Sequence, residues 1–154
     1  MNASTVDIKN FIQVDEQVGT AGQPSAEQFK AVRDAGYEAV VNLLPNGHDK
    51  ALIDEDALIR NLGMEYHHIP VAWAAPQLQD FTAFCEVMQK LEGRKVFVHC
   101  AVNMRVTAFY SSYAMKHLGW TRNQADALTA RIWEASKDFK MDDTWRNFIA
   151  VIRS

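Results

Sequence analysis

Short β-rich runs alternate with helical patterns along the chain, and this alternation predicts an α/β fold. The clearest strand patterns are two short apolar runs, residues 38–44 and 95–99, each next to turn-forming glycine or proline. Apolar residues recur at helical spacing over residues 77–92. We therefore expect a single domain with a four- to five-stranded, mostly parallel sheet and helices on both faces.

The first third of the chain predicts two short strands and a helix. The strands are expected within residues 10–22. Ser25 and Gln28 form a capping-box pattern that opens the helix, and Gly36 ends it.

The remaining elements continue the same alternation, and their expected bounds are strand 38–44, helix 51–62, strand 65–71, helix 77–92, strand 95–99, helix 105–118, a helix opened by Thr121 with Gln124, and a last helix capped by Asp142 or Asp143. In the helix over 51–62, apolar spacing predicts that Ile53, Ala57 and Leu58 face the core.

Size and charge limit the classes of function. The chain has 154 residues, which fits one domain over residues 1–154 with a core large enough to need no metal or disulfide. The formal net charge is −3, which argues against binding nucleic acid through bulk positive charge. Charge alone does not exclude a small local site for an anion.

Cysteine content and the chain start indicate the compartment. Cys85 and Cys100 are too few for a disulfide framework or a cysteine-only zinc site, so we expect no metal and no cofactor. The opening sequence MNASTVDIKN lacks a signal-peptide pattern, and no apolar stretch is long enough for a membrane span. These features favour a soluble, cytoplasmic protein with reduced thiols and no membrane partner, and they predict no particular oligomeric state.

The segment VFVHCAVNMRVT, residues 96–107, carries the strongest chemical pattern. A buried strand leads into a loop and a helix, whose unpaired amides and dipole favour an anion. Cys100 begins this loop, and a thiolate there is a potential nucleophile. Arg105 can hold two oxygens of an oxyanion.

Three further residues are expected to support this site. His99 is placed to hydrogen-bond the loop backbone, and Thr107 to donate its hydroxyl to Cys100. Trp73 is expected either to wall the pocket or to form a hydrophobic lid. Cys85 lies on an apolar helical stripe and is assigned to the core.

VFVHC followed by a short loop and arginine resembles the phosphate-binding loop of cysteine-dependent tyrosine and dual-specificity phosphatases. AGQPS (21–25), AGYEAVVNLL (35–44) and HHIPV (67–71) are similar to the bacterial phosphatase-like domain of beta-lactamase-hydrolase-like proteins. This resemblance covers roughly residues 19–119 and implies a cysteine-phosphatase-like fold.

The resemblance also implies a mechanism and a substrate class. Cys100 would attack phosphorus and Arg105 would clamp the phosphoryl oxygens, and the phosphocysteine would then be hydrolysed. The oxyanion would be held by the backbone of the four loop residues Ala101, Val102, Asn103 and Met104. The expected substrate carries a phosphate or another oxyanion.

Two departures from the phosphatase pattern leave the reaction open. Four residues, not five, separate Cys100 from Arg105, and Asn103 stands near the usual glycine, where it can adopt a left-handed conformation. Residues 69–79 carry no acid for leaving-group protonation, and Asp80 falls at a helix start. The loop length also fits a rhodanese-like sulfurtransferase with a Cys100 persulfide, and the missing acid fits a phosphate-binding pseudophosphatase.

Overall fold

A five-stranded sheet forms the centre of the computed structural model, which describes residues 4–137 and 139–154. The strands are β1 (Ile12–Gln13), β2 (Val18–Ala21), β3 (Ala39–Asn42), β4 (Glu65–His68) and β5 (Val96–His99). Their order in the sheet is β1-β2-β5-β3-β4. β1 and β2 pair antiparallel, and the other three pairs are parallel. The prediction of a mostly parallel sheet is confirmed.

Helices cover both faces of the sheet, also as predicted. They follow a 3-10 turn (Thr5–Asp7) and are α1 (Ala26–Asp34), α2 (Glu55–Asn61), α3 (Leu78–Lys90), α4 (Met104–His117), α5 (Arg122–Trp133) and α6 (Asp143–Arg153). Successive strand residues point to opposite faces. Val40 and Phe97 pack with α1 and α2, whereas Val41 and Val98 pack with α3 to α6. Each face therefore has its own apolar core.

Helix starts follow the polar residues that the sequence singled out. Ser25 with Gln28 and Thr121 with Gln124 form reciprocal capping boxes at α1 and α5. Asp142 caps α6. Caps of this kind contribute about 1 kcal/mol each, so local sequence alone sets where these three helices begin.

The prediction for α2 is wrong at its start and for Ile53 and Ala57, which are exposed, whereas Leu58 packs against the core as predicted. Asp54 adopts a left-handed conformation with φ of 57°, which interrupts the helix expected from residue 51, so α2 begins at Glu55. Ile53 is consequently 87% exposed. The buried residues of α2 are Glu55 and Ile59, one turn apart, and a carboxylate thus enters the interior. Within the described chain, no helix is long and apolar enough to cross a membrane.

Candidate active site

The candidate site lies at the carboxyl end of β5, in the middle of the sheet. β5 pairs with β2 on one side and β3 on the other. Cys100 follows its last residue, and α4 begins four residues later at Met104. Ligands in open α/β sheets bind at such strand ends, so the fold puts the predicted loop where an anion site is expected.

The outer side of the loop is fixed by the segment before α1. Gln23 N donates to Ala101 O at 3.0 Å, and Asn10 Nδ2 donates to Val102 O at 2.9 Å. Gly22 lies so close that a Cβ there would stand 2.5 Å from Ala101 O. A side chain at this position would push the loop away, which explains the glycine of the AGQPS segment.

The backbone amides near Cys100 are available to an anion. Among the hydrogen bonds of the described residues, the amides of Ala101, Val102, Met104 and Arg105 have no acceptor. The last two belong to the first turn of α4, where amides lack a partner in the helix and the dipole is positive. These four donors form the kind of cradle that binds phosphate.

Asn103 gives the loop its sharp turn. Its φ is 72°, so the prediction that it takes a left-handed conformation in place of glycine is confirmed. The side chain is buried, and Nδ2 donates to Asn10 O at 2.9 Å and to Thr20 Oγ1 at 3.0 Å. These bonds help to hold a backbone conformation that most side chains disfavour.

Arg105 turns inward to Cys100. Its side chain is 5% exposed, and Nε donates to Val71 O at 2.8 Å. Burial lowers the pKa of Arg105, while the charge of Cys100 and a hydrogen bond with it oppose that shift. Because arginine is protonated in proteins at any ordinary pH, a fixed cation lies beside the cysteine.

Trp73 covers this cation. Arg105 Cζ lies 5.1 Å from the centre of the Trp73 ring, a cation–π contact. Trp133 stacks on Trp73 at 5.5 Å, and Trp145 Nε1 donates to Trp73 O at 2.8 Å. Cys100 has no exposed surface in this arrangement, so a ligand can reach it only if neighbouring side chains move.

His99 lies directly beneath the loop and is fully buried. Its Nδ1 is 3.2 Å from Cys100 O, and its Nε2 is 2.8 Å from Glu55 Oε2. Gln23 Nε2 donates to the other oxygen of Glu55 at 2.7 Å. The imidazole therefore joins the loop backbone to a buried carboxylate on α2.

The sequence analysis missed Glu55. Its only local signal is a spacing of four residues from Ile59, which places both side chains on one helical face. Burial raises the pKa of Glu55, but the charge of His99 and hydrogen bonds from His99, Gln23 and Tyr66 outweigh it, and the net shift is downward. Glu55 is thus a carboxylate at neutral pH.

The expectation that Thr107 donates to Cys100 is wrong. Thr107 Oγ1 lies 2.9 Å from Asn103 O and 3.2 Å from Met104 O, because a threonine hydroxyl within a helix readily bonds the carbonyls of the preceding turn. Asp80 is likewise engaged, since its Oδ2 accepts from Gln77 N in the capping box of α3. Neither side chain is aimed at the cysteine.

The other candidate ligands and thiols lie elsewhere. Over residues 4–137 and 139–154, no cluster of three His, Cys, Asp or Glu side chains is arranged to hold a metal. Cys85 packs in the core as expected. Burial raises its pKa to about 11, although Lys116 opposes the shift. Cys85 is therefore a neutral thiol at physiological pH.

This fold is the fold of the tyrosine and dual-specificity phosphatases. The chain belongs to the family described as DSP-PTPase phosphatase fused to NAD+ kinase, whose model matches residues 4–146. It is thus a phosphatase-like hydrolase by family.

Known proteins agree with this assignment. A beta-lactamase hydrolase-like protein of Xylella fastidiosa (strain Temecula1) is 27% identical over 121 residues, which are 77% of this chain and 28% of that protein. The chain thus spans about a quarter of the length of that relative. A DUF442 phosphatase of Shewanella putrefaciens CN-32 superposes with a TM-score of 0.84 at 28% identity, covering 96% of this chain and 93% of the other. Tk-PTP, at 16% identity and a TM-score of 0.73, covers 94% of this chain and 96% of its own, and shows the shared fold.

Proposed function

We propose that this chain hydrolyses phosphoesters, with Cys100 as nucleophile and Arg105 as oxyanion clamp. The observation that carries the proposal is the set of backbone amides without acceptors that follows Cys100, together with the buried Arg105 side chain in the first turn of α4. A nearby cation and a helix N-terminus together attract an anion. The same groups stabilise negative charge that develops on phosphoryl oxygens.

The reaction has two steps. Cys100 Sγ attacks phosphorus, and the S–P bond forms as the bond to the leaving oxygen breaks, with the electron pair going to that oxygen. Water then attacks the phosphocysteine, which releases inorganic phosphate and restores the thiolate. The guanidinium of Arg105 and the backbone of the loop, through the free amides of Ala101, Val102, Met104 and Arg105, hold the phosphoryl oxygens during both steps.

The proposed setting follows from the chemistry. The nucleophile must stay reduced, and both cysteines are free thiols, which suits the cytoplasm. The substrate is a phosphorylated molecule whose phosphate can enter beneath Trp73. We treat residues 1–154 as one phosphatase-like domain.

Two observations favour a second candidate, a pseudophosphatase that binds phosphate without turnover. Residues 69–79 contain no acid, and Cys100 is fully covered. A leaving oxygen without an acid departs unprotonated, and this slows hydrolysis. A rhodanese-like sulfurtransferase remains an alternative on the four-residue spacing between Cys100 and Arg105 alone.

Turnover of an aryl phosphate between about pH 5 and pH 8 tests the proposal. Wild type should release phosphate, whereas Cys100→Ser and Arg105→Lys should lose at least about 10²-fold in rate, because each removes a group needed at the transition state. Cys85→Ala is the matched cysteine control and should retain wild-type turnover.

Each alternative function predicts a different experimental result. Phosphate binding by calorimetry without turnover, lost in Arg105→Ala, would replace the phosphatase with the pseudophosphatase. Transfer of sulfur from thiosulfate to cyanide, lost in Cys100→Ala, would replace it with the sulfurtransferase. Neither result is expected from the proposed reaction.

A further inference from the structure

Both ring nitrogens of His99 face oxygen atoms. Nε2 lies 2.8 Å from a carboxylate oxygen of Glu55, and Nδ1 lies 3.2 Å from the carbonyl of Cys100. A neutral imidazole carries one N–H, whereas an imidazolium carries two. Both contacts are hydrogen bonds only when the ring carries both protons.

The partner of His99 is able to balance such a charge. Glu55 is 4% exposed, and its second oxygen accepts from Gln23 Nε2 at 2.7 Å. The net downward shift in the pKa of Glu55 keeps it ionised at neutral pH. A buried carboxylate with an imidazolium at one oxygen and an amide at the other has its main hydrogen-bonding needs met.

Other groups around the pair do not compete for this role. Phe29 on α1 meets the His99 ring edge-on at 5.6 Å. Tyr66 on β4 also contacts Glu55, but burial raises its pKa far above neutrality, so it stays uncharged. Asp56, next along α2, is exposed and pairs with Arg60 at 3.6 Å.

We propose that Glu55 is a positioning residue of the active site, which keeps His99 donating from both ring nitrogens and thereby holds the carbonyl of Cys100. The carboxylate on α2 thus fixes the start of the catalytic loop and keeps a cation on the residue that precedes Cys100. The catalytic consequence rests on the proposed phosphatase function, whereas the proton arrangement of His99 does not.

The proton arrangement is measured directly in the wild-type protein. Long-range ¹H–¹⁵N NMR correlations report whether each ring nitrogen of a histidine is protonated, and the His99 signals are those missing in His99→Asn. We expect both nitrogens to carry a proton at neutral pH. A single protonated nitrogen would overturn the proposal without bearing on the phosphatase reaction.

The effect on the nucleophile is measured in Glu55→Gln, with Asp56→Asn as control. Glutamine keeps the size and one acceptor oxygen of Glu55 but removes the charge that balances the second proton. The ultraviolet absorbance of the thiolate, taken as the difference between each protein with and without Cys100→Ser, reports Cys100 alone. The pH midpoint of this absorbance change should move upward by about one pH unit in Glu55→Gln and should not change in Asp56→Asn.

Kinetics separate positioning from general damage to the fold. For an aryl phosphate, kcat of Glu55→Gln should fall about tenfold with KM changed less than about twofold, and the acidic limb of its pH profile should move with the thiolate midpoint. Wild-type kinetics and an unmoved midpoint in a folded Glu55→Gln would overturn the proposal. If that variant does not fold, the wild-type NMR result decides.

Discussion

The guanidinium of Arg105 is held by a backbone carbonyl and by an aromatic ring. Its Nε donates to Val71 O at 2.8 Å, and its Cζ lies 5.1 Å from the centre of the Trp73 ring. The strand-following loop that carries Val71 and Trp73 therefore sets the position of the clamp. An anion that binds Arg105 must also disturb Trp73, and this makes the tryptophan a reporter.

Binding of tungstate or phosphate should change the tryptophan fluorescence of Cys100→Ser. Trp73→Phe in that background should lose most of the change while calorimetry still detects binding, because the reporting ring touches the clamp. Trp120→Phe is the control, since Trp120 packs on Tyr110 instead. An unaltered response in Trp73→Phe would show that anions bind away from Arg105.

Asn103 should tolerate glycine better than alanine. Both substitutions remove its hydrogen bonds to Asn10 and Thr20, but only alanine retains the cost of a left-handed backbone, about 1 kcal/mol or more. Urea unfolding should therefore rank Asn103→Gly above Asn103→Ala in stability by about that amount. Equal stabilities would mean that the φ of 72° stores no strain.

Because of Glu55, the free energy of unfolding should decrease at acidic pH. Its pKa in the folded chain lies below the ordinary value of 4.5, so its ionised form stabilises the fold above about pH 4.5, and this contribution is lost as the pH falls through the folded pKa. Unfolding free energy should drop more steeply below pH 4.5 in wild type than in Glu55→Gln. The unfolding free energy of Asp56→Asn should fall with pH as steeply as that of wild type. If the unfolding free energy of Glu55→Gln also falls as steeply as that of wild type, the ion pair between Glu55 and His99 does not stabilise the fold.

The absence of an acid over residues 69–79 predicts a strong preference for good leaving groups. Across a series of aryl phosphates, kcat/KM should fall by roughly 10²–10⁴-fold as the leaving phenol becomes more basic, because nothing donates the proton that a general acid would supply. Released phosphate is the common readout. A flat series would indicate that an acid outside this segment takes part.

Local sequence was enough to predict much of the fold and the position of the candidate anion-binding loop. Capping boxes at Ser25 and Thr121 depend on residues three positions apart. Cys100 and Arg105 lie within one loop and helix turn, so their meeting needs only the strand–loop–helix pattern. Short-range geometry determines both features.

Long-range contacts could not be predicted from the local sequence. Glu55 is buried because it meets His99, 44 positions away, and Gln23, 32 positions away; by itself a glutamate in a short helix indicates a solvent-facing position. For Thr107 the error came from a local contact. Its hydroxyl, which we expected to bond Cys100, bonds a backbone carbonyl of the preceding helical turn instead. The Trp73 contact with Arg105 likewise depends on Trp133 and Trp145 from two later helices.

The most direct test of the central claim is to trap the phosphoryl group on Cys100. Wild type should be quenched in acid during turnover of an aryl phosphate, digested, and analysed by peptide mass spectrometry. We expect one phosphoryl group on the peptide that carries Cys100 and none on the peptide that carries Cys85. Release of phosphate at the wild-type rate by Cys100→Ser, or a phosphoryl group on another residue, would contradict it.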